Sequence, residues 1–304
     1  MHAALLTAFF FALTGVCATQ SSRLIGAARA NAWRLIVALA ILGIWAHFFG
    51  SGWGGGGAGW FLLAGSVGFG LGGWCVFQAL RRIGSTLSLL TVECAAAVFA
   101  AGIGWIWLGA ALGFTEIILA ALILAGVVIG MSPGPIPSLR RGEVRVGCAL
   151  ALAAALFQAI SFNLSRHAFN LLRETGEPIA FSSAAFQRLL GGFLVAVLLY
   201  GLTKLLQTTA GLGKARQRFA SPLRAPFWVL GNALFGPVLG VTCMLWAISL
   251  VENPGLVQAV AATATLMTIP FARHLEQARP GFTYYAGCLL ALAGTTGLLL
   301  LHAR

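Results

Sequence analysis

Aspartate is missing from this 304-residue chain altogether, and its seven acidic residues are Glu93, Glu116, Glu143, Glu174, Glu177, Glu252 and Glu276. That absence removes most metal-enzyme motifs, which gather carboxylates around a hard cation, and no metal or cofactor is expected. Charge of either sign is scarce: 9% of residues are charged against 59% hydrophobic, and mean hydropathy is +0.92. No water-soluble globular domain of this size has such a composition, so the chain reads as a polytopic membrane protein. No C-x-x-C pair occurs. The six cysteines (Cys17, Cys75, Cys94, Cys148, Cys243 and Cys288) fall in apolar runs and read as small core residues, not disulfides or zinc ligands. The apolar runs also lack any His-x-Glu, H-E-x-x-H or Ser/His/acid grouping, with His167 and His274 assigned to loops, so no enzymatic activity is expected. The glycine-rich run from Ser51 to Gly59 is followed by no Lys-Ser/Thr pair and preceded by no strand. It reads as a flexible loop on the outer side, not a phosphate cradle.

What the sequence does contain is length of apolar chain. Ten runs of bilayer-spanning size fall at 2–19, 30–49, 58–79, 86–107, 112–131, 146–165, 180–203, 226–248, 254–272 and 281–301. The expected fold is therefore all-α, with ten transmembrane helices. The first run has no Lys or Arg before it and no small-x-small cleavage site, so it counts as a membrane helix and not a signal peptide. A proline-containing stretch, 132–145, separates residues 1–131 from 146–304 and suits a cytoplasmic linker between two five-helix units. The net charge of +12 would suggest nucleic acid in a soluble domain, but here the cations cluster between apolar runs, where they report orientation. No nucleic-acid partner is expected. Arg23, Arg29, Arg34, Arg81, Arg82, Arg140, Arg141, Arg145, the basic residues from Lys204 to Arg224, Arg273 and Arg279 fall on one side; Arg166, Arg173 and Arg304 fall on the other. The richer side is the cytoplasmic one, which leaves both termini non-cytoplasmic.

The two units repeat. A shift of 168 residues carries Gly113-Phe114-Thr115 onto Gly281-Phe282-Thr283, Leu124-Ala125-Gly126 onto Leu292-Ala293-Gly294, and Gly72, Cys75 and Ala79 onto Gly240, Cys243 and Ala247. Upstream a shift of 154 pairs Arg34 with Arg188. An odd number of helices per unit inverts the second repeat relative to the first, the symmetry of alternating-access carriers. Two such units supply both halves of a cavity, so a monomer is expected.

Glu93 lies inside the run 86–107, at a depth where an ionisable group is costly unless paired, protonated or wet. It is either one half of a structural ion pair or part of a proton or substrate site. Arg34, on the second helix near the same membrane face, is its expected partner, directly or through water, with Glu93 the proton-responsive member. Arg188 would occupy the symmetry-related position and meet either a substrate carboxylate or, as the safer reading, Glu174 and Glu177 of the preceding loop.

Several short motifs resemble the drug/metabolite transporter superfamily, EamA type. They are Ala32-Trp33-Arg34-Leu35 with its echo Phe186-Gln187-Arg188-Leu189, Phe77-Gln78-Ala79-Leu80 running to Leu90, Pro270 and Glu276 before Gly281, and Gly287 to Gly294 closing the last helix. The resemblance implies a multi-pass carrier of small metabolites in a bacterial inner membrane, its cavity lined by helices three, four, eight and nine. Candidate polar and aromatic residues on those helices are Gln78, Asn232, Trp246 and Gln258. Gln258 stands out because it lies about one turn before Ala261, which the 168-residue shift assigns to Glu93. The expected function is export of small metabolites, amino acids or similar, by alternating access, with coupling to protons through Glu93. A lipid or lipid-linked-sugar flippase of the same fold is the alternative, ahead of a membrane-embedded enzyme. Expected partners are the small-molecule substrate, membrane lipids and protons.

Overall fold

An apolar chain in lipid must satisfy every backbone N–H and C=O internally, and a helix does so within one segment. The computed structural model, which describes residues 1–25, 27–52, 54–130, 141–209, 225–268 and 281–302, is accordingly helical, with no strand among the described residues. Its elements are α1 (His2–Ile25), α2 (Ala27–Phe49), α3 (Ala58–Gly65), a first π-helical segment (Ser66–Gly72), α4 (Gly73–Leu108), α5 (Phe114–Gly130), α6 (Arg141–Thr175), α7 (Phe181–Thr209), α8 (Ala225–Ala233), a second π segment (Leu234–Gly240), α9 (Val241–Leu250), α10 (Pro254–Ala262) and α11 (Phe282–Leu301). Eight stretches are long and apolar enough to cross a bilayer, and Phe114–Gly130 is a shorter apolar helix. The chain is thus an all-α, multi-pass membrane protein. Most of the linker stretch, Pro270, Arg273, His274, Glu276, Arg279 and Arg304 lie outside the described residues, and α6 begins at Arg141, inside the expected linker.

Residues Gly73–Leu108 are helical throughout, yet this is not one rod. The rings of Trp60 and Trp107 both meet the imidazole of His167, at 4.7 and 5.2 Å between centroids. A straight helix would separate those tryptophans by about 70 Å. The chain therefore reverses between the spans Ala58–Leu80 and Ser88–Leu108, and both pack along α6. This also corrects the placement of His167: it belongs to α6, which continues to Thr175, and not to a loop.

Glycine sets how closely helices approach. At Gly126 an added Cβ would lie 2.6 Å from the backbone of Gly287 and Ala291, and at Gly287 only 2.4 Å from Gly126 and Gly130. The α5 and α11 backbones are in contact, the small-residue packing that replaces hydrophobic drive in lipid.

The two π segments start at Ser66 and Leu234, 168 residues apart. A π turn widens the helix and disturbs the regular carbonyl pairing before it. In both places a hydroxyl from a distant helix donates to the carbonyl two residues upstream: Ser161 Oγ to Ala64 O at 2.6 Å, and Thr14 Oγ1 to Asn232 O at 3.0 Å. Pro237, inside the second segment, has no N–H to offer that carbonyl.

The glycine-rich loop is tied down, contrary to the flexible reading. Ser51 N donates to Ser183 Oγ (2.9 Å), Gly56 N to Glu177 Oε2 (3.2 Å) and Gln187 Nε2 to Gly54 O (3.1 Å), while Gly52 and Gly55 take positive φ of 56° and 110°. Those two glycines are needed for the turn geometry itself.

Candidate functional site

Helix α10 is aimed by its first residues. Asn253 caps it, accepting from Gly255 N at 2.9 Å, and Pro254 supplies the fixed φ suited to a first helical turn. Gly255 sits against Ala101, where an added Cβ would lie 2.5 Å from the Ala101 backbone N, so α10 and α4 touch at this level. One turn further along, Gln258, fully buried, donates from Nε2 to Glu93 Oε2 at 2.6 Å. A carboxylate on one helix is thus held by a neutral amide on another, from residues far apart in sequence. The Gln258 Oε1 atom is buried with no partner. Together the Glu93 carboxylate and that carbonyl oxygen form an acceptor-rich pair, suited to a proton, an ammonium or another hydrogen-bond donor.

Arg34 does not join them. Its Nη2 donates to Asn31 Oδ1 on its own helix at 2.8 Å, its Nε is buried without a partner, and among the described residues no carboxylate lies within 4.0 Å of it. The direct Arg34–Glu93 ion pair expected from depth alone is therefore absent: Glu93 is met by α10, and Arg34 is held by its own helix. Arg188 does not pair with Glu174 or Glu177 either, since both are exposed and Glu177 is engaged with the glycine loop. It is buried in α7 instead, donating from Nη2 to Ser161 Oγ at 2.7 Å.

The remaining sequence candidates are dispersed. Gln78 accepts from Arg82 through both its carbonyl oxygens, backbone and side chain, at 2.9 Å, and Arg82 approaches Glu143 at 3.6 Å. Asn232 Oδ1 accepts from Thr14 Oγ1 at 3.2 Å. Trp246 is 39% exposed and stacks on Phe181, centroids 6.5 Å apart.

Sequence reasoning missed a group of polar residues at the Trp60–Trp107 end of the bundle. Asn253 Nδ2 donates to Ala110 O (2.7 Å) and Ala101 O (3.2 Å), and Asn163 Nδ2 donates to Ala100 O (3.1 Å). Arg166 Nη1 reaches Ile248 O (2.9 Å) and Ser249 O (2.6 Å), and Arg173 also donates to Ser249 O (3.0 Å). Two cations on the C-terminal carbonyls of α9 suit the helix dipole. A cleft of about 220 Å³ beside them is lined by Leu108, Gly109, Ala110, Arg166, Asn170 and Glu252. The available signal was two arginines on one helical face in a segment otherwise fit to cross a membrane.

The site is thus a carboxylate and an amide in contact between two helices of a multi-pass membrane bundle. Residues 1–131 match the model of the EamA-like transporter family, a match consistent with the drug/metabolite transporter superfamily. A solved crystal structure, whose description names no function, shares the fold with a TM-score of 0.72 at 18% identity, covering 99% of this chain and 97% of that one. No curated protein matches the sequence.

Proposed function

We propose that the chain is a secondary carrier that exports small polar metabolites, amino acids or similar, by alternating access, with Glu93 and Gln258 at its solute- or proton-handling centre. The observation that carries this is the 2.6 Å contact between a span carboxylate and a buried glutamine on a different helix. A carboxylate inside a span is retained at a cost, and the common reason is a solute or proton pathway. Two inverted five-helix repeats, 1–131 and 146–304, are part of this reading. It is supported by the π segments and the starts of α5 and α11, which recur at the same 168-residue offset. We place both termini outside on the distribution of arginines, the protein in a bacterial inner membrane on the family resemblance, and the monomer on the two repeats, which together supply both halves of a cavity.

The test is metabolite release from cells expressing wild type or Glu93→Gln at equal membrane levels. Wild type is expected to enrich a small polar metabolite in the medium, and E93Q to lower that enrichment at least tenfold, because the substituted amide retains the shape of the carboxylate but neither its charge nor its titratable proton. Equal export by both would move the function away from Glu93. No enrichment by either would remove the export reading and favour lipid translocation.

A further inference from the structure

Arg188 is 2% exposed and carries the charge of a group that stays protonated in proteins. Its Nη2 is used by Ser161, but Nε and Nη1 are both buried with no hydrogen-bond partner. Among the described residues no carboxylate lies within 4.0 Å of it. Its guanidinium carbon lies 5.6 Å from the Phe69 ring centroid and 5.7 Å from that of Phe162. Two aromatic faces attract a cation, but they accept no N–H in the manner of an oxygen and supply no opposite charge. A dry, uncompensated guanidinium is costly and is kept where something else completes it.

The surroundings are built around this side chain. An added Cβ at Gly65 would strike the Arg188 carbonyl, and at Gly68 it would strike Ser161, so two glycines in and beside the first π segment leave room for the arginine and its anchor. Ser161 is fixed in turn by donating to Ala64 O at 2.6 Å, which leaves its oxygen free to accept from Arg188 and orients the guanidinium. A planar fork with two free donors between aromatic rings matches a small oxyanion: a carboxylate or a phosphate group.

We propose that Arg188 binds the anionic group of the transported molecule, so that the substrates of this carrier are carboxylate-bearing (or phosphate-bearing) metabolites. This rests on the carrier reading above. The same chemistry could come from a lipid headgroup, but Arg188 is seven residues into α7 from Phe181, about 10 Å from that helix end. That depth favours a solute inside the bundle.

The experiment uses the purified full chain in phosphatidylcholine nanodiscs, with thermal unfolding followed at constant ionic strength. The probes are sodium acetate, the minimal carboxylate, and acetamide, its uncharged counterpart, each to 100 mM, with inorganic phosphate as a third. Wild type is expected to gain stability saturably with acetate or phosphate and not with acetamide. Arg188→Gln should weaken the response at least tenfold, whereas Gly73→Ala, where an added Cβ meets nothing within 4 Å, should keep it. If R188Q yields no folded protein, Arg188→Lys takes its place: loss of the paired donors should weaken the acetate response, and an unchanged response in folded R188K would overturn the proposal. No acetate or phosphate response in wild type, an equal response to acetamide, or a full response in folded R188Q would each overturn the proposal. A stabilisation produced only by replacing part of the phosphatidylcholine with phosphatidylglycerol would assign the site to lipid and overturn it as a substrate site. Loss of the carrier reading looks different: no metabolite exported by wild type, with the acetate response and its R188Q loss intact.

Discussion

Gly65→Ala is expected to prevent accumulation of folded protein, although alanine is the better helix former of the two. The methyl group would lie 1.7 Å from the Arg188 carbonyl oxygen, 2.5 Å from its carbon and 2.7 Å from its Cα. No rotamer change relieves a clash between a Cβ and the backbone of a neighbouring helix, so α3 and α7 would have to move apart. That motion withdraws Phe61 and Leu189, both in the largest hydrophobic cluster, from their packing. Gly191 repeats the contact from the other side, its added Cβ falling 2.1 Å from Leu62 O. Ordinary overpacking costs about 1–3 kcal/mol, and a backbone-to-backbone clash belongs above that range. Gly73→Ala is the control, since nothing lies within 4 Å of its added Cβ; it should leave stability unchanged or slightly raised. Monodisperse yield and thermal unfolding of the two variants compare them directly. A G65A protein melting within a few degrees of wild type would refute the close α3–α7 contact.

Asn253→Ala should produce the second-largest loss. One side chain closes three separate gaps: it accepts from Gly255 N at the start of α10 and donates to Ala101 O and Ala110 O around the end of α4. Removing it leaves one N–H and two carbonyls, in a largely buried region, without these partners. At about 1–2 kcal/mol for each, the expected cost is about 3–6 kcal/mol. Asn253→Asp separates the roles, because a carboxylate still caps α10 but cannot donate to either carbonyl. Hydrogen exchange at 255–258 should quicken strongly in N253A. In N253D the helix start should stay protected while the turn after α4, 109–113, loosens. Unchanged exchange in both variants would mean that this residue is not what joins α10 to α4.

The helices were legible because an apolar run of about 20 residues has few other options in lipid, and part of the 168-residue offset was legible because Gly126 and Gly294 both sit where an added Cβ would lie 2.6 Å from the facing helix. Gln258 could be singled out by its distance from the position that this offset assigns to Glu93, and the two do meet. The direct Arg34–Glu93 contact is absent for a physical reason: depth along a helix can be counted from sequence, but the direction in which a side chain faces cannot when apolar residues surround the whole helix. Asn31, one turn from Arg34, offered a nearer partner. Arg166 and Arg173 made the end of α6 look like a loop, because a charge in a long run normally marks its boundary. Here the charges bind helix-end carbonyls, and the helix continues past them. Asn163, Asn253 and Ser161 passed unnoticed because each acts on the backbone of a distant helix, a relation with no local pattern.

Two of the nine tryptophans, Trp60 and Trp107, flank one imidazole, that of His167, at the end of the bundle closed by Asn253 and Arg166. Contact with an imidazole quenches indole emission, most strongly when the ring is protonated. Any rearrangement that draws the span Ala58–Leu80 or Ser88–Leu108 away from α6 therefore brightens the protein's own fluorescence, and the molecule carries an unlabelled optical signal for the opening of that end.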